Sequence, residues 1–287
     1  MTEYTIKEQE QWTEVIEPTT HILDLRLKEV WRYRDLLMLF VHRDFVSVYK
    51  QTILGPVWFF LQPVLTTLTF TLVFGKIAGI STDGLPMMLF YLAGITCWNY
   101  FAECLNRTAT ILKDNSQIFG KVYFPRLIMP LSVITSNLVK LGIQVALFLC
   151  FWVYYLVTGA DIHPNITLAL FPVLILIMGG LGLGFGLMIT ALTTKYRDLI
   201  FLLSFGVQLL MYATPVIYPL STIDPKYRIF IEANPMTSII ETFRYGFLGS
   251  GSFNPMGLLY SFAVMVLVMA IGTIVFNKVE KGFMDTV

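Results

Sequence analysis

Residues able to do chemistry are sparse in this sequence. His21, His42 and His163 are scattered without the spacing of a metal site. Cys97, Cys104 and Cys150 are odd in number and lie in or beside apolar stretches, where small buried hydrophobes are expected. No clustered acid, base and nucleophile is visible. Gly179, Gly180, Gly182, Gly184 and Gly186 look at first like a nucleotide loop, but they sit inside an apolar stretch, follow no strand and lack the G-x-G-x-x-G spacing. Gly180 with Gly184, and Gly182 with Gly186, form small-xxx-small pairs that let helices pack closely in lipid. A GxxxxGK(S/T) loop does not occur, so the chain is not expected to hydrolyse nucleotide itself. Within the apolar stretches the clear ionisable residues are Glu103 and Lys140, each expected near a cytoplasmic end rather than at the midplane, where coupled carriers hold their carboxylates. With no energy source of its own in view, a motor on another chain is the expectation.

What positions these residues follows from composition. The 287 residues are 56% hydrophobic and 14% charged, against about 25% charged in soluble domains. So few charges cannot cover a globule of this size in water, and the same balance excludes disorder. The net charge of +1 removes the basic field that a nucleic-acid binder needs. The chain reads as a membrane protein. Its first 50 residues are acidic at the start and lack the apolar core of a cleavable signal, so the first insertion signal is expected to be a mature helix.

A span needs roughly 20 apolar residues. That rule predicts six, over 53–75, 85–105, 127–157, 166–193, 199–218 and 255–276. Pro56 and Pro63 lie in the first, where a kink is expected. With the N-terminus inside, fifteen Lys and Arg fall on the inner side against four on the outer, which predicts that both termini are cytoplasmic.

Residues 28–50 precede the spans as an amphipathic helix. Val30, Tyr33, Leu37, Phe40, Val41 and Val48 share one arc, and Arg32, Arg34, Asp35, His42 and Arg43 fall mostly opposite. Asp44 falls inside the apolar arc and should therefore have a partner, which points to contact with another part of the protein. The longest inner loop, 108–126, offers capping chemistry at Asp114, Asn115 and Ser116, and Gly120 and Pro125 punctuate its end. Lys113, Lys121 and Arg126 beside Phe119, Tyr123 and Phe124 make a basic, aromatic surface suited to docking a partner. On the outer side, Pro215, Pro219, Pro225 and Pro235 cut the chain into pieces. Residues 236–248 have helical spacing, yet at 1.5 Å per residue they reach roughly 20 Å, short of the roughly 30 Å core. A re-entrant hairpin is expected there. Aromatics such as Trp58, Phe59, Trp98 and Tyr212 fit either an interfacial belt or a path on which sugars stack.

Several segments together resemble the ABC type-2 permeases of polysaccharide export. They are Arg34-Asp35-Leu36-Leu37, Arg43-Asp44-Phe45, Tyr49-Lys50-Gln51-Thr52-Ile53-Leu54-Gly55-Pro56-Val57-Trp58 and Gln62-Pro63. Further along come Gly120-Lys121-Val122-Tyr123-Phe124-Pro125-Arg126, Tyr196-Arg197-Asp198, Thr214-Pro215-Val216-Ile217-Tyr218-Pro219, Asn234-Pro235-Met236 and Glu241-Thr242-Phe243-Arg244. They run in family order over nearly the whole chain. The resemblance implies an all-α polytopic protein of the bacterial inner membrane. It would have a cytoplasmic segment 1–50 carrying the interface helix, a six-span domain over 51–287, and a re-entrant outer hairpin between spans five and six.

It also implies partners: a second copy of the chain, membrane lipid, and two cytoplasmic ABC ATPase subunits that bind ATP and Mg, with no cofactor on this chain and no nucleic acid. The cargo would be an undecaprenyl-linked polysaccharide such as O antigen, passed through a channel at a homodimer interface. Residues 113–126, with Lys113, Asp114, Lys121, Tyr123 and Arg126, would receive ATPase motion, and Tyr196, Arg197 and Asp198 would form a second inner contact. Arg43, Asp44, Tyr49 and Lys50 would brace the interface helix where substrate approaches. The hairpin 223–247, with Pro215, Pro219, Asn234, Pro235 and Arg244, would be the outer gate, and Trp58, Phe59, Trp98 and Tyr212 are candidate channel aromatics. Basic residues near the inner surface, Arg26, Lys28, Arg32 and Arg34, suit either a diphosphate head group or anionic lipid. Teichoic acid, capsule and small hydrophobic molecules are alternative cargoes, and a membrane-bound glycan-processing enzyme is the reading from a different class.

Overall fold

Backbone that enters hydrocarbon must satisfy its own polar groups, and helices do this within one segment. In the computed structural model, which describes residues 27–50, 53–119, 124–196 and 198–283, all regular structure among the described residues is helical. In chain order the helices are α1 Leu27–Arg32, α2 Arg34–Tyr49, α3 Trp58–Phe70, α4 Met87–Ala109, α5 Ile111–Asp114, α6 Ser116–Phe119, α7 Ile128–Val157, α8 Phe171–Lys195, α9 Leu199–Tyr212, α10 Pro225–Glu232, α11 Pro235–Leu248 and α12 Pro255–Phe283. A π-helical run, Thr71–Ile77, continues α3, and a 3-10 run, Ile166–Leu170, leads into α8.

Among the described residues, four helical stretches are long and apolar enough to cross a membrane: Trp58–Ile77, Ile128–Val157, Ile166–Lys195 and Pro255–Val279. They fall on the first, third, fourth and sixth expected spans. The first begins at Trp58 rather than 53, because Gly55 takes a positive φ of 50° and Pro56 falls in the 3-10 turn Gly55–Val57. The second expected span falls on α4, whose 23 residues are long enough, but Asn99, Glu103, Asn106 and Arg107 lower its apolarity. The fifth falls on α9, which has only 14 residues and stops at Tyr212. The helix cannot run on to 218, because Pro215 and Pro219 have no amide hydrogen to continue the ladder.

The glycines of α8 set the packing. A Cβ on Gly182 would lie 2.6 Å from Cys104 Cβ and 3.0 Å from the Phe101 carbonyl oxygen, and one on Gly186 would lie 2.5 Å from Thr108 Cβ. On the next face, a Cβ on Gly180 would meet Met265 Sδ at 2.5 Å, and one on Gly184 would meet Met269 N at 2.8 Å. So α4 and α12 both run parallel to α8 and touch its backbone, as the small-xxx-small spacing predicts. Lipid offers little hydrophobic drive for such contacts, so close dispersion contact and interhelical hydrogen bonds must hold them. Thr190 Oγ1 donates to the Thr108 carbonyl at 2.8 Å, and Thr193 Oγ1 donates to that of Ala109, stitching the C-terminal ends of α4 and α8. Antiparallel α7 closes the group through the ion pair of Lys140 with Glu103 and the contact of Asn137 Nδ2 with Cys104 Sγ at 3.7 Å.

Alternation of the long helices collects short elements at two ends. At one end α2 lies on α7, where Phe40, Ile111, Leu112, Phe124, Ile128, Leu187 and Phe276 share a core. At the other, α11 is wedged among α4, α8 and α12, with 11 of its 14 residues buried. Its neighbour α10 buries none.

Candidate functional site

At the α11 end, Asn234 caps α11 by accepting from the Met236 amide at 3.0 Å, and Pro235 opens it with the φ a first turn needs. At its other end Gly249 takes a left-handed φ of 76°. The last carbonyls are met by tertiary partners: Trp152 Nε1 donates to Phe247 O at 2.7 Å, the His163 amide to Leu248 O at 3.2 Å, and Asn165 Nδ2 to Tyr245 O at 2.8 Å. The residues 236–248 thus form a fully capped, buried helix, as their spacing predicts.

Arg244 is the pin of this end, 1% exposed. Its Nη1 donates to Pro215 O at 2.5 Å and its Nη2 to Val216 O at 2.7 Å, carbonyls that the end of α9 leaves without helical partners. The guanidinium carbon lies 3.6 Å from the Phe90 ring centroid, and Glu241 Oε1 stands 3.7 Å from Nη1. Burial pushes the Glu241 carboxyl up and the Arg244 guanidinium down to about 10, each partly offset by the other's charge. Thr214 Oγ1 accepts from Asn234 Nδ2 at 2.7 Å, and Pro235 O accepts from Ser261 Oγ at 2.7 Å. Pro215, Asn234, Pro235 and Arg244 therefore meet in one hydrogen-bonded cluster tying α4, α9, α11 and α12. Pro219 stands just beside it, accepting from Thr222 Oγ1 at 2.9 Å. The close approach of α4 requires Gly94, where a Cβ would lie 2.9 Å from Val216 O.

At the opposite end the described part of loop 108–126 holds two single turns, α5 and α6. Thr110 Oγ1 donates to Asp114 Oδ2 at 2.6 Å, and Asn115 Nδ2 to Ile111 O at 3.0 Å. Ile111 and Leu112 point into the core, which leaves Lys113 and Asp114 exposed. Because α4 and α8 end together, Tyr196 and Asp198, both exposed, belong to the same end of the molecule. Lys195 Nζ sits 5.3 Å from the Tyr196 ring centroid, and Arg126 follows Phe124 into the start of α7. Lys121, Tyr123 and Arg197 lie outside the described residues.

The expected helix 28–50 is broken at Tyr33 into α1 and α2; Val30 of α1 and Phe40 and Val41 of α2 are buried, and Tyr33 and Leu37 are half-buried. Asp44 departs from expectation in its choice of partner: among the described residues it pairs with adjacent Arg43, Nη2 to Oδ1 at 2.8 Å, rather than with a distant element. The guanidinium carbon of Arg43 in turn lies 4.9 Å from the Phe40 ring centroid, so the charge leans back over its own helix. Tyr49 closes α2 and Lys50 follows it, exposed. The four aromatics do not come together. Trp58 and Tyr212 are open, and Phe59 stacks on Phe45 at 5.9 Å between centroids. Trp98 is buried against Phe101 at 5.3 Å.

Sequence reasoning missed the hydrogen-bond partners Thr214, Val216, Phe90, Trp152 and Asn165, and the contact of Ser221 Oγ with Asp83 Oδ1 at 2.8 Å. Backbone acceptors and residues this far apart in sequence leave no local pattern. Glu103 and Lys140 were singled out by sequence as the clear charges in apolar stretches but not as partners; the structure pairs them, as two opposite charges in apolar helices require.

Comparison with known proteins completes the site. The family model described as ABC-2 type transporter matches residues 35–248. The chain is 28% identical over 263 residues to the O-antigen export system permease protein RfbA of Myxococcus xanthus, covering 91% of this chain and 98% of that protein. A protein of the same description from Klebsiella pneumoniae is 27% identical over 258 residues, 88% of this chain and 94% of its own. The inner membrane transport permease YadH of Escherichia coli is 25% identical over 280 residues, 91% and 97% respectively. With three-quarters of its length inside the family match and every cluster described above within or beside it, this chain belongs to the ABC-2 type transporter family.

Proposed function

We propose that the chain is the membrane permease subunit of an ABC exporter that moves a lipid-linked polysaccharide, O antigen being the favoured cargo, across the bacterial inner membrane. The observation that carries this is similarity to O-antigen export permeases over 88–91% of the chain, spanning both helical ends. In this reading α3, α4, α7, α8, α9 and α12 all cross the membrane, with both termini cytoplasmic. The 14 residues of α9 extend about 21 Å as helix, and the turn at 213–219 completes the crossing inside a protein-lined layer. α1 and α2 lie along the inner surface, and α10 with α11 form a re-entrant outer gate. Two copies enclose the conduit, because a long glycan cannot be housed among six helices with short loops.

Force comes from two ATPase subunits, which hold ATP and Mg and dock on the surface carrying Lys113, Asp114, Tyr196 and Asp198. The absence of a GxxxxGK(S/T) loop in the sequence fits that division of labour. The test has two parts. Deleting the gene should strip the surface glycan and accumulate its lipid-linked form inside the cell, with rescue by the intact chain. Purification should bring down a soluble chain with a nucleotide loop in equal amount. Sustained glycolipid translocation by this polypeptide alone in sealed vesicles would overturn the proposal, as would a deletion that abolishes small-molecule efflux and spares every glycan.

A further inference from the structure

Between α4 and α7 lies a small open cleft, with room for about one water, lined by Asn99, Tyr100, Glu103, Asn137, Lys140 and Gln144. Its position is unusual for such polarity. Glu103 stands six residues, about 9 Å, from the C-terminal end of α4, and Lys140 twelve residues, about 18 Å, from the start of α7. Both helices are walls of the bundle, and the Glu103 side chain is 40% exposed. An exposed carboxylate opening on hydrocarbon is costly, so a cleft mouth facing water, polar cargo or a second copy of the chain is favoured over one facing lipid.

We infer that this cleft is a binding site for a hydroxyl group of a neutral, polyhydroxylated ligand, with Asn137 Oδ1 as the acceptor. Three observations carry the assignment. Asn137 is 1% exposed and lines the cleft, yet its Oδ1 has no hydrogen-bond partner, while its Nδ2 is turned to Cys104 Sγ. A buried acceptor of this kind is left wanting a donor, and an arriving O–H supplies it. Next, Lys140 is already paired with Glu103, so the site carries no net charge to draw a diphosphate or carboxylate and suits a neutral guest. Finally, Asn99 and Gln144 also line the cleft, and each amide carries both a donor and an acceptor, the chemistry that hydroxyls complement. The Phe59 ring, with its centroid 6.0 Å from Lys140 Nζ, adds an apolar face nearby. The inference rests on the export reading and deepens it: the hydroxyl belongs to the passing glycan. A resident water offers the same O–H chemistry, and the experiment separates the two.

The complete exporter, in native membranes, is examined with two variants. Asn137→Leu removes the orphan acceptor with little change in volume, so its melting midpoint should stay level or rise while glycan export falls about fivefold. Gln144→Cys, placed in a Cys150→Ser background, should react with a membrane-impermeant sulfonated methanethiosulfonate. The reaction should slow when the host's glycan is stalled in an exporter whose ATPase is inactivated. Labelling that the stalled glycan does not slow, with export by Asn137→Leu at the parent rate, means the cleft holds water alone and overturns the site. Failure to label means the cleft is dry and overturns it as well. A parent complex that exports no glycan overturns the export reading beneath it, which keeps the two failures distinct.

Discussion

Arg244 shows what one buried charge can do when backbone is short of donors. The helix α9 stops before two prolines, and the carbonyls of Pro215 and Val216 are left inside the protein. A planar guanidinium reaches both at once, lies over Phe90, and keeps Glu241 within 3.7 Å. Arg244→Ala would strand all of these groups, and removing one partner of a buried pair costs about 3–5 kcal/mol. A denaturant titration of the purified chain should show a loss of that size, with Arg244→Lys between it and the parent because an ammonium has no fork. Asn234→Ala, which removes a helix cap and the contact to Thr214, should cost about 1 kcal/mol. If Arg244→Ala costs no more than Arg228→Ala, whose guanidinium is on the exposed helix α10, the pin has no structural role.

Among elements, the α8 glycines divide by what faces them, and that division is testable. At Gly184 a new Cβ would meet backbone atoms, Met269 N at 2.8 Å and Val268 C at 2.9 Å, which cannot swing aside as a side chain can. Gly184→Ala should therefore destabilise by about 1–3 kcal/mol. Gly206 in α9 and Gly142 in α7 have nothing within 4 Å, so alanine there should be neutral or gain about 0.5–1 kcal/mol of helix propensity. Equal effects at Gly184 and Gly206 in thermal unfolding would refute the close crossing of α8 and α12. Here the sequence was legible, because small-xxx-small spacing is a local pattern with one physical use in lipid. Helix positions followed from apolar runs to within a few residues for α7 and for the Ile166–Lys195 stretch. The end of α9 did not, since the apolar run continues past the point where Pro215 stops the helix. Asp44 was readable as needing a partner but not as pairing with its neighbour, because side-chain direction is invisible to periodicity. The Arg244 cluster was the least legible: its key acceptors are backbone carbonyls, which every residue carries.

For the whole molecule, the export reading proposed above requires that motion applied at one end be passed to the other. The surface carrying Lys113 and Asp114 hangs on α5, whose Ile111 and Leu112 are buried against the core shared with α2, α7 and α8. Just before α5, the end of α4 is bonded to α8 from Thr190 Oγ1 to Thr108 O and from Thr193 Oγ1 to Ala109 O. α8 in turn lies along α12 through Gly180 and Gly184, and α12 holds the start of α11 through Ser261 and Pro235. A push on α5 thus has a continuous packed route to the Arg244 cluster, and the two threonine bonds are its first polar step. Replacing both with valine keeps shape and removes about 1 kcal/mol per bond. In the exporter proposed above, the double variant Thr190→Val with Thr193→Val should fold and bind the ATPase, while glycan moved per ATP hydrolysed drops. Both quantities can be read in one vesicle preparation. An unchanged ratio would mean that α4 and α8 move as one body without these bonds, and that the push travels instead through α2 and α7, where Phe40 and Phe124 rings lie 5.7 Å apart.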